Sequence, residues 1–249
     1  MPVYGESDCG IAIRPDRKLW EVEQSREMVE SGKTIQDNVR FSASGVVLEG
    51  IFERPKGEAP FPAVAVCHPH PLYGGDMHNN VVSVICEALV EASIATLRFN
   101  FRGVGRSEGT REEGVGEQDD VRAALDFLES REGIDRGRIG LAGYSFGTKA
   151  AMPVALREQR VRAVGLVSPF LDGADWEKLK TYTVPKLFIC GSEDSFISPH
   201  KVKRLVGEAA PPSECEVVFG ADHFWWGFEG KIAQKVSAFF RAVFYGPAL

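Results

Sequence analysis

The sequence predicts an α/β architecture, a mostly parallel β-sheet with helices on both faces, and two observations carry that prediction. Short apolar runs alternate with helix-length segments along most of the chain, which is the pattern of parallel strands joined by crossover helices. The runs are also rich in β-branched residues, as strands covered on both faces require. With 249 residues, the chain is long enough to bury one large sheet without dividing into several domains.

Residues 1–37 are charged and weakly patterned, and are expected to form an N-terminal extension with one amphipathic helix over residues 18–30. The folded domain is expected over residues 38–249. It should open with a hairpin, because strand-like runs at 39–42 and 46–54 flank Ser44-Gly45 and Pro55 ends the second. Strands are then expected at 63–67, 94–99, 139–142, 161–167, 186–190 and 214–219. Helices are expected between and after them at about 79–92, 117–131, 146–158, 199–209 and 230–243. The second of these helices starts with Glu117, Asp119 and Asp120, which places negative charge on the positive end of the helix dipole. Only about 17 residues separate Ser168 from Lys186. That is too short for a cap domain, so any site at this edge of the sheet should have an open mouth.

Composition removes several functional classes. A formal net charge of −6 argues against a nucleic-acid partner, which needs a concentrated basic face. No apolar run approaches the roughly 20 residues that span a bilayer, and Met1 to Glu6 lack a signal peptide's basic and apolar regions. No membrane association and a cytoplasmic location are therefore expected. The five cysteines, Cys9, Cys67, Cys86, Cys190 and Cys215, are scattered and never in a C-x-x-C spacing, so neither a disulfide framework nor a zinc site is expected.

The sharpest chemical signal is Gly143-Tyr144-Ser145-Phe146-Gly147. This G-x-S-x-G run stands directly after an expected strand and directly before an expected helix. A turn that tight leaves no room for flanking side chains, which accounts for the two glycines, and it projects the Ser145 hydroxyl from the sheet edge. A serine hydroxyl is a weak nucleophile at neutral pH and needs an imidazole to accept its proton. His223 follows the last expected strand, on the same edge as Ser145, and is the candidate base. The base in turn needs a carboxylate to fix its tautomer. Asp194, in the loop after the strand at 186–190, is the leading candidate, with Asp172 next and Glu193 and Asp222 as neighbours to weigh.

Acyl chemistry also needs donors for the developing oxyanion. The amide of Phe146, at a helix N-terminus, is one. The second should come from His68-Pro69-His70-Pro71-Leu72-Tyr73, where the prolines have no N–H. His70, Leu72 and Tyr73 remain, and Leu72 is favoured. His68, His70 and His78 invite a metal reading, but the intervening prolines break the alternation that would align the rings and no Cys or carboxylate cluster supports it. The imidazoles are expected to bond loop backbone, and neither metal nor cofactor is expected. Gly103-Val104-Gly105 lacks the third glycine of a dinucleotide fingerprint, Glu108 standing there. Arg102 and Arg106 are expected to pair with the acidic run at 112–120. Phe224, Trp225, Trp226 and Phe228 are expected to pack the last helix, whereas Tyr73, Tyr144 and Phe146 are better placed to touch a substrate.

With these motifs, the segment from about residue 39 to 240 resembles the α/β-hydrolase superfamily, and within it a bacterial group of small, lidless hydrolases. The resemblance rests on His68 to Gly75, Arg98 to Gly105, Gly143 to Gly147 and Ala221 to Phe224. It implies a mostly parallel sheet flanked by helices, and a triad of Ser145, Asp194 and His223. It also implies that a serine at the elbow excludes the dehalogenase and epoxide-hydrolase chemistries, which use an aspartate there. The expected activity is cofactor-independent hydrolysis of a small-molecule ester or thioester. A peptidase or amidase using the same triad, and a catalytically idle fold serving as a binding protein, are the competing readings.

Overall fold

The computed structural model describes residues 28–32 and 34–246. Strands β1 (Met28–Ser31), β2 (Thr34–Ala43), β3 (Val46–Pro55), β4 (Phe61–Cys67), β5 (Ala95–Phe99), β6 (Ile134–Tyr144), β7 (Val161–Val167), β8 (Lys186–Gly191) and β9 (Ser213–Val218) form one sheet. Its order is β1-β2-β3-β5-β4-β6-β7-β8-β9. The pairs from β1 through β3 to β5 are antiparallel, and every pair from β5 through β4 to β9 is parallel. The crossovers carry helices α1 (Asn80–Glu91), α2 (Glu117–Ser130), α3 (Phe146–Ala155), α4 (Gly173–Leu179) and α5 (Pro199–Gly207), and α6 (Glu229–Tyr245) closes the fold.

Strand β4 shows why the central strands read as continuous apolar runs. All its residues are buried, with Ala63, Ala65 and Cys67 in the core on one face and Val64 and Val66 in the core on the other. The first core is roofed by α2, α3 and α5 through residues such as Leu125, Met152 and Val202. The second is roofed by α1 and α6 through Ile85, Leu89, Val236 and Phe240. Period-2 alternation thus feeds two layers at once.

The chain passes from β4 out to β5 on one side, then returns to β6 on the other side of β4. The C-terminal ends of β4 and β6 therefore border the point where strand order reverses, which is where open α/β sheets leave a crevice. Cys67 pairs with Gly143 in that register, so the loops beginning at His68 and at Ser145 start side by side.

Two expectations need correction. Among the described residues the sheet starts at Met28 and β2 runs from Thr34, so the boundary placed between residues 37 and 38 falls inside a strand. This edge hairpin is only partly covered, with Asn38, Arg40 and Ser42 exposed, and its polar residues conceal the strand pattern. Of the helix expected over 18–30, residues 18–27 lie outside the described residues and 28–30 belong to β1. The segment between Ser168 and Lys186 holds the short helix α4, capped by Asp172 through Asp175 N at 2.9 Å. It holds no cap domain.

Arg102 anchors the long loop after β5. Its main-chain N–H, Nε and Nη2 donate to the carboxylate of Asp120 on α2 at 2.8–3.2 Å, and Nη1 donates to Glu112 at 2.7 Å. Arg106 makes a different contact, its amide donating to Glu49. The Asp120 side chain is fully buried. Removing one partner of such a pair strands the other, so Asp120→Ala should lower stability by about 3–5 kcal/mol in urea unfolding. A loss below about 1 kcal/mol would show that the pair is incidental.

Candidate active site

Ser145 leaves β6 with φ 52° and ψ −117°, a conformation that costs a non-glycine residue about 1–3 kcal/mol. The turn is pinned on both sides. The Ser145 amide donates to Val167 O at 2.9 Å, and its carbonyl accepts from Thr148 N and from Thr148 Oγ1. Close packing explains the glycines: a Cβ on Gly147 would lie 2.3 Å from Cys67 O, and one on Gly143 2.8 Å from the Gly147 carbonyl carbon.

His223 is held by its backbone before its ring is considered. Tyr144 Oη donates to His223 O at 2.7 Å, and Asp222 Oδ1 accepts from the amides of Phe224 and Trp225. The ring then bridges two elements, with Nε2 2.9 Å from Ser145 Oγ and Nδ1 2.9 and 3.0 Å from the two oxygens of Asp194. The Asp194 side chain is fully buried. It also accepts from Ser168 Oγ at 2.8 Å, Phe196 N at 3.0 Å and Ile197 N at 2.8 Å. Burial pushes its pKa up, but the bonds from His223, Ile197 and Ser168 outweigh that effect and hold the carboxyl below its usual range. The other acids weighed from sequence are placed differently. Asp172 caps α4 and Asp222 closes its own turn.

The loop after β4 departs from expectation at the second amide donor. The Leu72 N–H is committed to His70 Nδ1 at 3.1 Å, and the Tyr73 N–H to His70 O at 3.0 Å. Leu72 is corrected for that reason: His70 acts as the N-cap of the 3₁₀ turn Pro71–Tyr73 and takes up the amide. The His70 N–H donates to nothing among the described residues. The Phe146 N–H, at the first position of α3, is free as well. His68 is buried, its Nδ1 donating to Pro69 O at 2.7 Å and its Nε2 accepting from Phe101 N at 3.1 Å. Burial pushes its pKa down to about 4, so the ring is neutral and ties the loops after β4 and β5 together. Among the described residues no group of three His, Cys, Asp or Glu is placed to hold a metal ion.

A cavity of about 410 Å³ opens onto Ser145 and His223, walled by Tyr73, Tyr144, Phe146, Phe170, Phe196 and Phe224, with Lys149 and Glu113 among its polar lining. A second hollow of about 640 Å³ adjoins it, sharing Tyr73, Asn79, Tyr144 and Phe224. Phe170 and Phe196 were not singled out in the sequence. Each stands two residues past a buried partner in the site, Ser168 and Asp194, and that offset was the available signal. The aromatic run after His223 divides: Trp225 is fully buried, whereas Phe224 and Trp226 are exposed and line these hollows.

The profile of the alpha/beta hydrolase domain matches residues 68–230. The chain belongs to this family. It is 35% identical over 172 residues to an uncharacterized protein of Rickettsia prowazekii, the match covering 66% of the chain and 72% of that protein. It is 33% identical over 130 residues to an uncharacterized 31.7 kDa protein of Escherichia coli, which covers 50% of the chain but only 44% of the relative's length. An alpha-beta serine hydrolase homologue from Coxiella burnetii superposes with a TM-score of 0.72 at 34% identity, covering 81% of the chain and 95% of that structure. No helix among the described residues is long and apolar enough to cross a membrane.

Ser168 is the concealed joint of this hydrolase fold, because its Oγ donates to Asp194 and accepts from Trp225 Nε1 at 3.1 Å. Ser168→Ala leaves a fully buried indole N–H without an acceptor, which costs about 1–3 kcal/mol. Chemical denaturation should show that loss, and a neutral result would mean that water replaces the hydroxyl.

Proposed function

We propose that the chain is a serine hydrolase that cleaves a small-molecule ester or thioester through an acyl-enzyme. The observation that carries this reading is the unbroken hydrogen-bonded line from Ser145 Oγ through His223 to Asp194; the amides of Phe146 and His70, both residues of the cavity lining, have no acceptor among the described residues.

In this mechanism His223 Nε2 takes the hydroxyl proton as Ser145 Oγ attacks the acyl carbon. Asp194 keeps the other ring proton on Nδ1 and stabilises the imidazolium. The carbonyl oxygen becomes an oxyanion facing the Phe146 and His70 amides, each such donor being worth about 100- to 1,000-fold in rate. His223 then protonates the leaving alcohol or thiol. Water enters, gives its proton to the same ring, and releases the acid. No cofactor is called for, and a cytoplasmic location accords with the reading.

A fluorophosphonate probe should label the wild-type protein stoichiometrically and leave Ser145→Ala unlabelled, since only an activated serine attacks that phosphorus centre. Labelling that survives the substitution moves the nucleophile elsewhere, and an unlabelled wild type favours an idle binding fold. For the acid, Asp194→Asn should lower kcat by about 10,000-fold by trapping the wrong imidazole tautomer. Asp172→Asn should leave the cap of α4 in place, since Asn and Asp serve equally at that position, and keep kcat within about twofold. The reverse pattern in a p-nitrophenyl ester assay would reassign the acid.

A further inference from the structure

We propose that Lys149 selects substrates carrying a compact anion, such as a carboxylate, sulfonate or phosphate, on the portion seated in the aromatic cavity beside Ser145. The proposal rests on the serine-hydrolase reading of the same site and adds a substrate class to it. Lys149 lies on α3 one turn beyond Ser145 and lines the cavity. Residues four apart share a helix face, and helical side chains lean toward the N-terminus, so this stem lies on the nucleophile's side.

The stem is held in place. Gly114 adopts φ +93°, and a Cβ there would come within 3.1–3.3 Å of three carbons of the Lys149 side chain. The loop at Gly114 is fixed in turn, because its N–H donates to the buried Glu117 at 2.7 Å. A side chain packed along a fixed loop loses its entropy before any ligand arrives, which favours selective binding.

Among the described residues its charge has no partner. The Lys149 ammonium makes no ion pair or hydrogen bond with any described residue, although the residue is half-buried. Arg102 and Arg160, shielded to a similar or greater degree, are each met by at least two carboxylates. Glu113 also lines the cavity, but its carboxylate faces His70 Nε2 at 3.5 Å. The remaining walls are largely aromatic, so an ammonium here acts where water is partly excluded and a counter-charge is worth more than at an open surface. The N-terminus of α3 adds a positive contribution of the same sign. A neutral acyl chain would use the aromatic walls and leave the cation idle. A substrate with an anion at the far end of that portion uses both.

The test pairs isosteric esters of opposite character. One arm varies the acyl part, the p-nitrophenyl monoester of adipic acid against its neutral amide analogue. The other varies the leaving group, the butyrate ester of 4-hydroxybenzenesulfonate against that of the sulfonamide. In one arm the wild type should favour the anionic ester by about 10- to 100-fold in kcat/KM. That preference should collapse toward unity in Lys149→Met, persist in part in Lys149→Arg, and shrink as salt is raised. No preference for the anion in either arm, or a preference that survives Lys149→Met, overturns the proposal.

A readout without turnover separates this failure from failure of the hydrolase reading. Ser145→Ala protein should bind the product that carries the probe anion in the favoured arm, adipate or 4-hydroxybenzenesulfonate, in calorimetry, and Ser145→Ala/Lys149→Met should not. Esters cleaved without regard to charge, together with no such binding, remove the role of Lys149 and leave the hydrolase intact. A wild type that neither cleaves nor labels, yet binds the anion through Lys149, removes the hydrolase and leaves the anion site.

Discussion

A carboxylate removed from water must be met by donors on all sides, and Asp194 imposes that requirement on the whole C-terminal edge of the sheet. Its donors come from three successive loops: Ser168 after β7, Phe196 and Ile197 after β8, and His223 after β9. Trp225 joins through Ser168, so the entrance to α6 is fixed by the same charge. The loops are thus positioned by one another, and the imidazole is a structural donor before it has any chemical role.

The opposite side of the site depends on a different constraint, the close passage of two backbones. Gly147 runs against the carbonyls of Cys67 and His68 so tightly that any side chain would collide. This proximity brings the loop carrying His70 against the start of α3, where the His70 and Phe146 rings meet 4.8 Å apart. The strain of Ser145 at φ 52° is sustained because β6 and α3 are each fixed by their own core packing, and the turn between them has no freedom to relax. Parallel strands reversing order at β4 and β6 create this geometry, so the crevice is a property of the topology as much as of the residues in it.

Much of this was legible in the sequence, for a physical reason. Strands buried on both faces cannot hide, because nearly every position is apolar, and β4, β7 and β8 fall where periodicity places them. The elbow glycines are legible because sterics permit nothing else. The edge hairpin before residue 38 was not legible, since a half-solvated strand tolerates Asp37, Asn38 and Arg40 and so blurs its alternation. Leu72 was favoured as the second donor because elimination by proline says which residues have an N–H but not which N–H is already spent. That depended on the His70 ring capping its own turn, a local competition between side chain and backbone that no residue count reveals. Phe170, Phe196 and Lys149 were missed for a related reason: each is ordinary in composition and acquires meaning only from what the fold sets opposite it.

These constraints divide the site into a fixed part and a free part. The backbone of Ser145 and the side chains of His223, Asp194 and His68 are held by hydrogen bonds, and losing Asp194 or His68 strands buried groups that they pair. Phe170, Phe196, Phe224, Trp226 and Tyr73 stand exposed on the surrounding loops, where substitution strands no buried donor or acceptor. A short connection after β7, with only α4 in it, leaves these side chains as the wall of the mouth. On the proposed reading, chemistry and selectivity fall under separate physical controls: burial and hydrogen bonding set the first, and exposed rings with the charge of Lys149 set the second. Substitutions confined to the free part would then change substrate choice at little cost in stability.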